Sequence, residues 1–293
     1  VLIVSASPHI KSGVTIKKLM CSAVVALIPA IFGSIYFFDL RSLLLVVLSI
    51  VSALVSEAIY QKASGRKITI TDGSAVITGI ILVLILPPRV PLWLSLIGSA
   101  FAIVFAKQLF GGLGYNYVNP ALAGWAFLRL IFPHHMTITT QTPTTVVNLL
   151  LGNTSGHLGE ASLILLFIGA IYLIITKVID YRIPISYLGT VMILALMLPT
   201  TTPPLFFLLS GNLFLGAFFI ATDYVTTPVT KLGQWVFGIG CGILTIVIRT
   251  WISFSDGVCY SILLMNLLTP LIDRYTRPKV FGAGKNKIVT AHQ

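Results

Sequence analysis

Apolar residues run along this chain in long blocks, separated by short stretches where lysine, arginine, glycine, proline or asparagine gather. Ten blocks stand out, at 19–38, 42–60, 74–86, 91–107, 119–132, 161–176, 184–198, 205–221, 233–250 and 257–273. A helix rising 1.5 Å per residue needs roughly 20 apolar residues to cross a hydrocarbon core of about 30 Å. Most blocks approach that length, so the pattern predicts an all-α polytopic membrane protein with about ten transmembrane helices. Three blocks break the rule. The third is too short and ends in Pro87-Pro88, the fifth opens on Asn119-Pro120, and the eighth runs into Asp223 and Pro228. These are expected to be half-helices or interrupted spans.

Composition agrees. The chain has 293 residues, 56% hydrophobic and only 9% charged, whereas soluble domains carry about a quarter charged residues. No cleavable leader is expected, because Val1 to Gly13 is mixed and the first long apolar run follows Lys17-Lys18. The net charge of +11 does not imply nucleic acid, because the basic residues sit in small clusters between apolar blocks rather than in one patch. They act as topology signals. With the N-terminus in the cytoplasm, 15 of the 19 basic residues fall inside and only Arg41, Arg89, Arg129 and Arg249 outside. Both termini are then cytoplasmic, and the loop after the fifth span is extracytoplasmic. Cys21, Cys241 and Cys259 have no metal-ligating spacing and read as small core residues.

The two halves echo each other. Asp72-Gly-Ser-Ala-Val-Ile-Thr-Gly79 with Leu86-Pro-Pro88 has a loose counterpart in Ser210-Gly-Asn-Leu-Phe-Leu-Gly-Ala217 with Asp223 and Pro228. Each half then has a further helix, followed by a Gly turn with an Asn and a Pro. Five spans per half require the halves to be inverted, so the chain divides into a cytoplasmic segment 1–18, a first five-helix repeat 19–132, an extracytoplasmic loop 133–160, a second repeat 161–275 and a tail 276–293. Paired, broken half-helices in inverted repeats point to a site near the midplane, lined by backbone groups freed from helix bonding.

Few residues are available for chemistry. Glu57 lies inside the second span, where a carboxylate is either functional or paired with nearby Lys62 or Arg66. Asp72 and Asp223 adjoin broken helices, placed to cap amides or to accept from a ligand. Gly111-Gly-Leu-Gly-Tyr-Asn-Tyr-Val-Asn-Pro120 follows a helix rather than a strand and lacks a Lys-Ser/Thr pair, which argues against a nucleotide phosphate loop. Tyr115, Asn116, Tyr117 and Asn119 offer aromatic faces and amides to a planar ring or to the lipid interface. His134, His135 and His157 have no metal-site spacing. The loop Thr139-Thr-Gln-Thr-Pro-Thr-Thr145 is uncharged and rich in hydroxyls, which lipid packing does not require.

These pieces carry a resemblance. Ser7-Pro-His9, Asp72–Gly79 with Leu86-Pro-Pro88, Phe110–Ala121, Gly216–Asp223 with Pro228, Asp256-Gly-Val, Leu263–Leu267, Pro270–Asp273 and Tyr275-Thr appear in order along nearly the whole chain. The chain resembles the D subunits of Rnf electron-transport complexes and, more distantly, the B subunit of sodium-pumping NADH:quinone reductase. The resemblance implies FMN joined by a phosphoester to the last hydroxyl of a Ser/Thr-Gly-Ala-Thr-like motif before Pro. Here Thr142 fills that place, although Thr140 and Gln141 depart from the usual Gly and Ala. It also implies a second, noncovalent flavin (riboflavin) near the broken helices, with Asp72, Ser74, Thr78, Tyr115, Asn119, Pro120, Asn212 and Asp223 as its expected surroundings.

The implied function is a redox subunit, inactive alone, of an ion-translocating ferredoxin:NAD⁺ oxidoreductase in a prokaryotic cytoplasmic membrane. Electrons from ferredoxin would cross the membrane through partner subunits and outer flavins and return through this chain toward NAD⁺ while Na⁺ or H⁺ moves. The implied partners are the membrane-embedded A and E subunits, the flavin-carrying G subunit, the soluble B and C subunits, and lipid. Two other readings stay open: the corresponding subunit of a quinone reductase, and an inverted-repeat channel or transporter of small solutes.

Overall fold

A computed structural model describes residues 15–137, 156–160, 162–198 and 203–277. The expected attachment residue Thr142 and most of its loop lie outside the described residues. Within them the chain is helical. The first half comprises α1 (Ile16–Phe38), α2 (Leu40–Ala63), α3 (Ser74–Leu84), α4 (Leu92–Phe101, continuing as a π-helix over Ala102–Gln108) and α5 (Pro120–Ile131). The second comprises α6 (Leu163–Ile175), α7 (Arg182–Met197), a short α8 (Pro204–Leu209), α9 (Leu213–Leu215, continuing as a π-helix over Gly216–Ile220), α10 (Lys231–Trp251) and α11 (Gly257–Thr276). Of these, α1, α2 and α10 are each long and apolar enough to cross a membrane unaided.

Local sequence explains where helices begin. Thr15, Ser162 and Thr230 accept backbone N–H bonds at the starts of α1, α6 and α10, satisfying donors that a first turn leaves free. Pro120 occupies the first turn of α5, where its missing N–H costs nothing. The α1–α2 and α6–α7 corners turn on Asp39 (φ 67°) and Lys177 (φ 54°), two non-glycine residues with positive φ at matching places in the halves.

The expected third and eighth spans are indeed not simple crossings. α3 has 11 residues, and its continuation is buried on every side, with Leu82, Val83, Leu84, Ile85 and Leu86 all inaccessible. A helix apolar all round belongs in a core. The block at 205–221 divides into α8, a turn at Ser210–Asn212, and α9 with its π segment. Ser210 donates to Phe206 O, and Gly211 takes φ 68°.

Packing follows the same plan in each half. α2 lies against α3 and α4, and α7 lies against α10, while α1 packs on α6 across the boundary between halves. Gly79 lets α3 approach α2 closely: an added Cβ would stand 3.1 Å from the Ile50 backbone. Ser49 Oγ donates to Gly79 O at 2.9 Å, a hydrogen bond available only at that approach. Many apolar side chains on α1 and α2, including Phe32, Leu44, Val51 and Ile59, remain exposed, as a lipid-facing surface requires.

Candidate functional site

The cavity lies where the two halves meet. About 780 Å³ of empty space, mouth included, is bounded by Leu19, Met20 and Leu27 of α1, Ser74, Thr78 and Ile81 of α3, and Lys107 of α4. Leu113, Asn116, Asn119 and Pro120 close it from the Gly-rich turn, and Phe218, Thr222, Asp223 and Tyr224 from the second half. The starts of α1, α3 and α5 all contribute to this lining. The cavity therefore enters from one end of the bundle rather than lying only at the midplane.

Asn119 and Asp223 join the halves at the rim. Asn119 Oδ1 accepts from the N–H groups of Ala121 (3.0 Å) and Leu122 (3.4 Å), capping α5. Its Nδ2 donates to Asp223 Oδ2 at 3.2 Å. Asp223 also accepts from Thr226 Oγ1 at 3.3 Å, and Thr269 Oγ1 donates to Thr226 O at 2.9 Å, which carries the network to α11. One face of the cavity is thus a polar seam that each half supplies in part.

A buried ionic chain reaches the cavity through Lys107 and Ser74. Glu57 and Lys107 are 0% and 1% exposed, with Nζ 2.8 Å from Oε1. Lys107 also donates to Ser74 Oγ (2.6 Å), and Ser74 donates both its N–H (2.9 Å) and its hydroxyl (2.6 Å) to Asp72 Oδ1. Glu57 Oε1 accepts further from Gln108 Nε2 (2.6 Å) and Gln61 Nε2 (3.2 Å). The sequence suggested Lys62 or Arg66 as the partner of Glu57; the structure corrects this to Lys107, 50 residues away. Arg66 instead donates to Gln108 O.

The second half has a comparable cation with different surroundings. Arg249, near the end of α10, donates to the carbonyls of Phe207, Ser210 (2.8 Å) and Gly211 (2.8 Å), holding the turn before α9. Asn212, just beyond, is buried with both side-chain polar atoms unpartnered among the described residues. It sits at the start of α9, at the opposite end of that broken helix from Asp223, and does not line the cavity. Nearby, His157 Nδ1 lies 2.6 Å from Glu160 Oε1, both buried. Burial pushes the Glu160 carboxyl up, but hydrogen bonding and attraction from His157 outweigh it and hold it below its ordinary value.

Of the expected surroundings, Ser74, Thr78, Asn119, Pro120 and Asp223 come together on the cavity. Asp72 acts one step behind, through Ser74. Tyr115 is 69% exposed and stands away from the lining. Lys107 is the residue that the sequence marked only as a topology charge, whereas Asn116, one of the amides offered to a planar ring, is on the wall. Asn116 is 8% exposed, lines the cavity, and has an Oδ1 without a partner among the described residues. The signal for Lys107 was its place at the last position of an apolar block.

An all-α, polytopic membrane protein with a cavity between its halves is the class that this geometry defines. The chain belongs to the family described as NQR2, RnfD, RnfE, which matches residues 3–282. It is 42% identical to the D subunit of the Na(+)-translocating ferredoxin:NAD(+) oxidoreductase complex of Acetobacterium woodii, over 98% of this chain and 97% of the relative. It is 40% identical to the D subunit of the proton-translocating ferredoxin:NAD(+) oxidoreductase complex of Clostridium ljungdahlii, over 95% and 96%. It is 41% identical to the D subunit of the ion-translocating oxidoreductase complex of Methanosarcina acetivorans, over 97% and 98%.

Proposed function

We propose that this chain is the D-type membrane subunit of an ion-translocating ferredoxin:NAD⁺ oxidoreductase. It would work with the other Rnf subunits in a prokaryotic cytoplasmic membrane, carrying covalent FMN at Thr142 on the outer side and riboflavin in the cavity. The observation that carries the cavity assignment is an orphaned polar atom: Asn116 Oδ1, buried on the cavity wall and lacking a donor among the described residues. A buried acceptor without a partner costs about 1–3 kcal/mol, and a ring N–H in the cavity would relieve it.

The lining suits an isoalloxazine ring in two respects. Its walls are mostly apolar, from Leu27, Ile77, Ile81, Phe218 and Phe219. Its polar groups are few: Asn116 as acceptor, Asn119 and Asp223 along the seam, and Thr78 and Lys107. When bound, a flavin supplies the capacity to accept and donate one or two electrons. The chain's own part is to orient the ring, limit water, and fix the charges around it. Asn119 and Asp223 tie the two halves together at the cavity, and the Glu57–Lys107–Ser74 chain fixes α3 and α4 beside it.

Covalent attachment is tested by the mass of the Thr139–Thr145 peptide from protein made with the flavin transferase. An increase matching dehydrated FMN, localised to Thr142 and absent from Thr142→Ala, is expected. An unmodified peptide from such a preparation defeats the outer-flavin assignment. Whether the purified complex takes electrons from ferredoxin or from NADH separates this reading from the quinone-reductase subunit.

A further inference from the structure

Lys107 is more exactingly placed than holding a helix requires. Two of the three N–H groups of its ammonium go to Glu57 Oε1 and Ser74 Oγ. The third has no acceptor among the described residues, and Lys107 lines the cavity. Sequestering an ammonium costs several kcal/mol, so the position calls for a reason. Capping α3 is not one, because Asp72 already accepts from the Ser74 N–H. Latching a broken helix is not sufficient either: Arg249 does that through backbone carbonyls and is not on the cavity wall. Moreover, α4 changes to a π-helix over Ala102–Gln108, and the wider turn buries Ala106, Lys107 and Gln108 in succession. Such departures from α geometry cluster at functional sites.

We infer that Lys107 sets the electron affinity of the cavity's ligand, a fixed cation facing a ring that gains negative charge on reduction. Glu57 and Gln108 are its positioning residues. This rests on the flavin reading above. Uptake of two electrons and one proton by a neutral isoalloxazine ring leaves one negative charge, and a cation beside the ring favours that form over the oxidised one. The Glu57 carboxylate does not line the cavity, and its Oε1 is already shared by Lys107, Gln108 and Gln61. The lysine therefore presents its charge to the cavity, while its counter-charge does not reach the wall.

The test uses the assembled, purified complex. Noncovalent flavin is released with acid and counted per chain, and its two-electron midpoint potential is read by optical titration. Lys107→Gln keeps hydrogen-bonding groups but removes the charge. It is expected to retain the flavin and shift the reduced-to-oxidised balance at least tenfold toward oxidised, about 30 mV for a two-electron couple. Lys107→Arg restores the wild-type value. Should Lys107→Gln fail to assemble, Glu57→Gln leaves the lysine in place without its counter-charge, and an upward shift is expected. Retained flavin with an unmoved midpoint in the variant that assembles overturns the inference and leaves the flavin reading standing. A wild-type complex that releases no flavin defeats the flavin reading itself.

Discussion

Asn119 Nδ2 donates to Asp223 Oδ2 at 3.2 Å, a hydrogen bond spanning 104 residues of sequence and joining the first half of the chain to the second. Each partner also serves its own half, Asn119 by capping α5 and Asp223 by gathering Thr226. The pair is therefore expected to behave as a unit. Thermal unfolding in detergent of Asn119→Ala, Asp223→Ala and the double variant should give a coupling energy of about 0.5–3 kcal/mol. Strict additivity would mean that the bond does not operate in the membrane protein.

The Glu57–Lys107 pair predicts an asymmetric response. Glu57→Leu alone leaves a buried ammonium without its anion and should cost about 3–5 kcal/mol. Glu57→Leu with Lys107→Met removes both charges and should recover most of that loss. The same unfolding measurement decides it: a double variant as unstable as the single one would mean that apolar side chains cannot pack there.

At Gly211, the turn before α9 has φ 68°, and an added Cβ would meet Arg249 Nη2 at 2.6 Å. Gly211→Ala thus brings both backbone strain of roughly 1–2 kcal/mol and displacement of the guanidinium. Arg249→Met should be worse, because each orphaned buried carbonyl costs about 1–3 kcal/mol. Expression level and melting temperature should fall in that order. Wild-type stability in Arg249→Met would show that the turn holds without its latch.

The His157–Glu160 contact gives a pH dependence whose sign follows from the depressed carboxyl. A folded-state value below the ordinary 4.5 means that the contact contributes fully above pH 4.5 and loses its contribution as pH falls through the depressed value. Between pH 6 and 8, His157→Ala should lower stability by about 1–3 kcal/mol. At a pH below the depressed value, wild type and variant should converge. A gap that widens on acidification would contradict the assignment.

Helix periodicity made most of the fold legible. The expected 19–38, 42–60 and 233–250 spans fall within Ile16–Phe38, Leu40–Ala63 and Lys231–Trp251, because long apolar runs have only one way to satisfy their backbone in lipid. Pro, Gly and Asn marked the broken helices for the same reason. The site was legible only in part. Asn119 and Asp223 announced themselves as polar residues at helix breaks, but their pairing across 104 positions depends on how the halves dock. Glu57 was recognised as out of place, yet its partner was sought five or nine residues along the chain, at Lys62 or Arg66, because spacing reveals sequence neighbours and not those on another helix. Lys107 was hidden by its position at the end of an apolar block, where a lysine ordinarily reaches for water; the π turn directs it inward instead. Asn116 and Tyr115 are adjacent in sequence, and only the fold shows that the amide is buried on the wall while the ring stands outside.

Acid precipitation of the purified complex, followed by chromatography of the supernatant and flavin counting against this chain, tests the cavity assignment most directly. One riboflavin released per chain, with FMN remaining on the precipitated protein, is the predicted result. A supernatant free of flavin, from a complex that still oxidises ferredoxin, would contradict it.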